Sequence, residues 1–101
     1  MRYVVIADSD TVLGFRFAGV EGRVVENTDE ARTAFAESVR DRTVGLIVLT
    51  DSVAESIRND VNKQRYEAEQ PLVVEIPGPE GPLGGPQRLT KLVREAVGIQ
   101  I

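Results

Sequence analysis

Two uninterrupted apolar runs, YVVIA at residues 3–7 and VGLIVL at residues 44–49, limit what this chain can fold into more than any other feature. A strand with one wet face alternates apolar and polar residues, whereas a continuous apolar run suits a strand covered on both faces, as in the middle of a parallel sheet. Two weaker runs, RVVE at residues 23–26 and LVVEI at residues 72–76, are shorter or interrupted by a charge. They read as flanking or edge strands.

The stretches between these runs carry helical periodicity. Ala31, Ala34, Phe35, Ser38 and Val39 fall on one helical face, and Asn27 with Glu30 has capping-box spacing. Val53, Ala54, Ile57 and Val61 repeat the pattern as one helix, with Thr50 or Asp51 as caps and Ser52 and Glu55 at capping-box spacing. A shorter helix is predicted over residues 11–18, opened by Asp10 and closed near Gly19. Gly14 inside it costs about 1 kcal/mol of helix propensity relative to alanine, which suggests a close approach to a strand. A last helix should begin at Pro86, present Leu89, Leu92, Val93, Ala96 and Val97 on its apolar face, and stop at Gly98.

The order is therefore βαβαβαβα. Right-handed crossovers then give a parallel four-stranded sheet of order 2-1-3-4 with helices on both faces, a small flavodoxin-like (Rossmann-like) three-layer α/β domain. The expected core is Val4, Val5, Ile6, Leu46, Ile47, Val48, Val73 and Val74 from the strands, with Ala31, Phe35, Val39, Val53, Ile57, Leu89, Leu92 and Val93 from the helices. A length of 101 residues suits one domain. Within it, residues 1–76 form the sheet domain, 77–85 a Pro/Gly-rich loop, and 86–101 the last helix and tail.

Composition then narrows the function. The chain has no cysteine and no histidine, which removes disulfides, thiolate and imidazole metal ligands, and Ser-His-Asp catalysis. A net charge of −4 argues against nucleic acid as a partner. No apolar run approaches the ~20 residues of a membrane helix, and the N-terminal run ends in acids rather than a cleavage site, so a cytoplasmic location is expected. The charge is uneven: residues 1–86 carry nine basic and fifteen acidic side chains, whereas residues 87–101 carry Arg88, Lys91 and Arg94 against Glu95. Those three cations are either a solvated helix face or a basic contact surface for a partner.

In sheets of this order ligands bind outside the carboxyl ends of the strands, where the strand order reverses. That crevice should present Asp8, Ser9 and Asp10 on one side and Thr50, Asp51 and Ser52 on the other. Asp8, Asp10 and Asp51 could together hold Mg²⁺, as in receiver domains of signalling proteins. The plainer account has Asp10 and Asp51 capping their helices, with Asp8 solvated. The chain also departs from the receiver pattern. The phosphoacceptor place is nearer Thr50, Pro77 stands where a hydroxyl belongs, and Lys63 and Lys91, the only lysines, fall on helices. No cofactor is expected. The segment PGPEGPLGGPQ at residues 77–87 holds four of the five prolines, each of which removes a backbone donor, so it is not a phosphate cradle. Gly84 and Gly85, directly before the last helix, are its candidate hinge.

Three blocks carry a likeness to a known family: ADSDTVLGFRFAGV (7–20), VGLIVLTDSVAESIR (44–58) and PLVVEIP (71–77). In order and spacing they resemble the F subunit of the prokaryotic V/A-type rotary ATPases, and the resemblance spans essentially the whole chain. It implies a non-catalytic central-stalk protein that binds the coiled-coil D subunit and turns inside the ring of A and B subunits. Such a protein helps couple ATP hydrolysis or synthesis to ion passage, can stimulate hydrolysis, and meets the membrane only through the complex. The resemblance also implies contacts within the rotor from the C-terminal helix, which here makes Arg88, Lys91, Leu92, Arg94 and Glu95 the candidate interface. After EIP the chain departs from the family's polar loop, since Gly78 opens the Pro/Gly segment.

Overall fold

The computed structural model describes residues 1–79, which form four strands and four helices. Strand β1 (Arg2–Ala7) leads to helix α1 (Ser9–Phe17), strand β2 (Glu21–Val24) and helix α2 (Thr28–Arg40). Strand β3 (Val44–Thr50) then leads to α3 (Asp51–Ser56), α4 (Arg58–Glu67) and β4 (Leu72–Ile76). All pairings are parallel and the strand order is β2-β1-β3-β4, as the sequence requires. The last helix, with Leu89, Leu92 and Val93, lies outside the described residues.

The two continuous runs are the central strands because both their faces are covered. On one face Val4, Ile6, Ile47, Leu49 and Val73 pack with Ala31, Ala34 and Phe35 of α2, Ala54 of α3, and Ile57 and Val61. On the other, Val5, Ala7 and Val48 pack with Val12 of α1, joined by the partly buried Phe15, Val20, Leu46 and Ile76. Burying a Val, Leu or Ile side chain is worth roughly 1.5–3 kcal/mol, so these two clusters supply the drive to fold.

Several local expectations shift. Strand β2 spans Glu21–Val24 and not residues 23–26. Gly19, at φ 85°, turns the chain sharply, so pairing begins with Glu21 opposite Val4. Apart from the half-buried Gly22 this strand is exposed, and its register leans on ion pairs of Arg2 with Glu21 and of Arg23 with Glu37 that hydropathy does not reveal. Helix α1 starts two residues earlier than predicted, because Asp8 rather than Asp10 is its cap. A Cβ built on Gly14 would meet nothing within 4 Å, so this glycine serves no close approach, whereas one on Gly22 would run into Val12.

The predicted helix through Val53, Ile57 and Val61 is two helices. Ile57, buried at φ −124° and ψ 36°, ends α3 and opens α4. Ser56 Oγ donates to the Val53 carbonyl at 2.7 Å, a local bond that competes with the helical ladder at the break. Thr50 rather than Asp51 holds the cap position of α3, where its side chain makes no cap bond, and Asp51 is buried within the first turn. Val74, expected in the core, is 42% exposed. The cap of α2 is as read, with Glu30 N–H donating to Asn27 Oδ1 at 2.8 Å, although Glu30 Oε1 reaches back to Glu26 N–H.

Candidate functional site

The strand-order reversal between β1 and β3 opens a crevice of about 270 Å³ lined by residues that include Asp8, Glu26, Asn27, Thr28, Thr50 and Ser52. Its acids serve the fold. Asp8 Oδ2 accepts from Thr11 N–H at 3.0 Å and its Oδ1 from Thr11 Oγ1 at 2.7 Å. Burial pushes the Asp8 carboxyl up, but the Thr11 hydroxyl and backbone bonds outweigh it and hold the group below the ordinary aspartate value. Asp10 is exposed in the first turn of α1, where it complements the helix dipole. Asp51 is buried and not free. Among the described residues no group of three or more acidic side chains could hold a metal ion. The receiver-like arrangement of Asp8, Asp10 and Asp51 is thus not assembled.

A cavity of about 640 Å³ lies at the opposite end of the domain beside β2. Five of its charged residues are engaged with one another: Arg2 pairs with Glu21 and Asp41, and Arg23 with Glu37. The Thr43 hydroxyl and N–H, followed by Arg2, hold Asp41 below its ordinary value, while the Glu21 and Asp41 bonds raise Arg2.

A tighter cluster ties α4 to β4. Arg58 Nη1 and Nη2 donate to Glu75 Oε2 and Oε1, each at 2.7 Å, in a bidentate pair, and Arg65 Nη1 adds a third bond at 2.9 Å. The Arg58 bond is the main reason that Glu75 titrates below the ordinary glutamate value despite its burial, and the same bond raises Arg58. Glu55 is exposed and also pairs with Arg58 at 3.0 Å.

Exposed apolar surface is the feature that sequence reasoning missed. Leu72 and Val74 are 62% and 42% exposed, and on α1 Leu13 and Phe17 are 51% and 86% exposed. The signal was available in LVVEI, where alternate residues of an edge strand must face opposite sides. The candidate interface residues Arg88, Lys91, Leu92, Arg94 and Glu95, and the hinge Gly84 and Gly85, lie outside the described residues.

Fold and surface together define a small doubly wound α/β domain in which no acidic cluster among the described residues could hold a metal ion and whose charged clusters brace its own elements. The chain belongs to the family of the ATP synthase (F/14-kDa) subunit, whose match spans residues 4–93. It is 34% identical over 106 residues to the F subunit of the A-type ATP synthase of Thermococcus sibiricus, with 100% of this chain and 98% of that protein covered. Identity to the corresponding protein of Pyrococcus abyssi is 37% at the same coverage, and to that of Methanococcus maripaludis 35% over 103 residues, covering 100% and 99%. The crystal structure of the F subunit of the V-type ATP synthase from Archaeoglobus fulgidus superposes with a TM-score of 0.63 at 19% identity, covering 74% of this chain and 95% of that one, which shows the shared fold. Among the described residues no helix is long and apolar enough to cross a membrane.

Proposed function

We propose that this chain is a non-catalytic rotor component of an A/V-type ATP synthase. In this reading it binds the coiled-coil D subunit of the central stalk, turns with it inside the A and B subunits, and helps couple ATP hydrolysis or synthesis to ion passage. The observation that carries the proposal is its end-to-end similarity to the F subunits of A-type ATP synthases, with 100% of this chain and 98% of the Thermococcus sibiricus protein covered. The surface is in keeping with it. A protein that acts by contact needs a rigid frame and an adhesive face, and it needs no assembled site.

Coexpression with the coiled-coil D subunit tests the reading. A stable 1:1 complex on size exclusion is expected, and independent elution of the two chains at micromolar concentration would overturn it. Arg88, Lys91 and Arg94 are proposed to meet acidic side chains of that partner, alongside Leu92 and Glu95. Reversing all three charges should weaken assembly, and the loss should be largest at low salt, because screening suppresses exposed charge pairs. Unchanged affinity across salt would leave those residues as solvated surface.

A further inference from the structure

The two edges of the sheet differ. At β4, Arg65 Nη2 donates to the Val73 carbonyl at 3.0 Å and takes up a backbone acceptor. At the other edge, β2 pairs with β1 alone among the described residues. Val25 N–H donates inward to the Ala7 carbonyl at 3.0 Å, and successive residues of a strand direct their backbone groups to alternate sides. Gly22 and Val24 therefore turn both N–H and C=O away from the sheet. Helix α1 covers one face of β2, whereas α2 packs on β1 and β3, so Glu21 and Arg23 stay exposed on the other face. Residues 19–23 line the cavity of about 640 Å³ that opens beside this edge.

We propose that the β2 edge docks a second copy of this chain, antiparallel, about a two-fold axis at Gly22. The edge sequence selects that occupant. Residues 20–24 read VEGRV, and antiparallel alignment of this segment with itself sets Val20 opposite Val24, Glu21 opposite Arg23 and glycine opposite glycine. Every position meets its complement, as a contact between identical patches requires. The charged pairs fall at the positions without hydrogen bonds, where facing side chains come closest. Moving the axis one residue, to Glu21 or Arg23, would set like charges directly opposite, so the register is specified.

Both charged groups have capacity left for a partner. Arg2 Nε and Nη2 both donate to Glu21 Oε2, which leaves Oε1 without a partner among the described residues, and Arg23 reaches Glu37 through Nη1. The two side chains are 59% and 45% exposed. The backbone adds about four hydrogen bonds across the axis, two between the glycines and one from each Val24 N–H to the other copy's Val20 carbonyl. Val20 N–H is already committed to the Phe15 carbonyl. Two four-stranded sheets thereby become one continuous sheet. This pairing does not rest on the functional reading above.

Sedimentation of the full chain between about 1 and 200 µM tests the pairing. A contact this small belongs at the weak end of specific interfaces, so a dissociation constant on the order of 10–100 µM is expected, and a chain still monomeric at about 200 µM overturns the proposal. Charge reversal locates the contact. Glu21→Arg makes the edge wholly basic and Arg23→Glu wholly acidic, so each variant alone should lose at least about tenfold in self-association. An equimolar mixture of the two should pair at least as tightly as the unaltered chain, because each arginine then faces a glutamate. A dimer that neither substitution weakens, or a mixture that associates no better than its components, overturns the assignment. Val24→Pro examines the backbone part. Its N–H points away from the sheet, so the variant should keep a cooperative urea transition yet lose self-association at least about tenfold. A folded variant that still dimerises sinks the pairing, and loss of the transition would place that N–H inside the sheet and sink it equally.

Discussion

Two glycines show what single residues decide here. A Cβ on Gly22 would stand 2.4 Å from Val12 Cγ1 and 3.1 Å from Val5 Cγ1. Val12 is 2% exposed and cannot retreat, so the bare backbone of β2 is what lets α1 sit down on the sheet. Gly22→Ala should therefore cost about 1–3 kcal/mol in urea unfolding. Gly14, on the open side of α1, has the opposite sign: Gly14→Ala should gain up to about 1 kcal/mol. Finding both substitutions neutral, or their order reversed, would refute this account of how α1 is seated. The sequence pointed to Gly14 because a glycine inside a helical pattern is conspicuous. Gly22 has no such mark, since its role depends on a neighbour ten residues away. The caps divide similarly. Asp8→Ala should cost about 1 kcal/mol and Asp10→Ala little, although the two acids look interchangeable in DSD.

At the scale of elements, the connection that matters is the one between α4 and the edge strand β4. The Glu75 side chain is 16% exposed and takes bonds from both Arg58 and Arg65, while Arg65 Nη2 also donates to the Val73 carbonyl at 3.0 Å. That last bond occupies a backbone acceptor that an edge strand would otherwise offer to another chain. Because folding lowers the Glu75 pKa from its ordinary 4.5, the stabilisation is present above that value and is lost as pH falls through it and below. Unfolding free energy should drop between about pH 5 and pH 3, and Glu75→Gln should flatten part of that slope. Asp8 and Asp41, also lowered, contribute in the same direction. A slope unchanged by Glu75→Gln would remove the pair from the account. Elements were legible in the sequence in proportion to their burial. β1 and β3 announce themselves because both faces are apolar. β2 slipped by two residues because polar side chains line it, and the break at Ile57 hid inside a regular apolar spacing.

At the scale of the molecule, strand order and layering followed from alternating segments and crossover handedness. The acidic crevice did not survive, because carboxylates that converge in sequence face different duties in space: Asp8 caps, Asp10 complements a helix dipole, and Asp51 is buried. The exposure of Leu72 and Val74 went unread because a strand's two sides are distinguished only by what packs on each. This division of labour makes one further prediction. Every residue of the described apolar core lies between Val4 and Val73, so a chain ending at Pro79 should retain a cooperative urea transition. The same shortened chain locates the rotor contact. If Arg88, Lys91 and Arg94 meet the coiled coil, the shortened chain should lose coelution with the D subunit, whereas a persisting 1:1 complex would move the contact onto the α/β domain, with the exposed Leu13 and Phe17 of α1 the first positions to test.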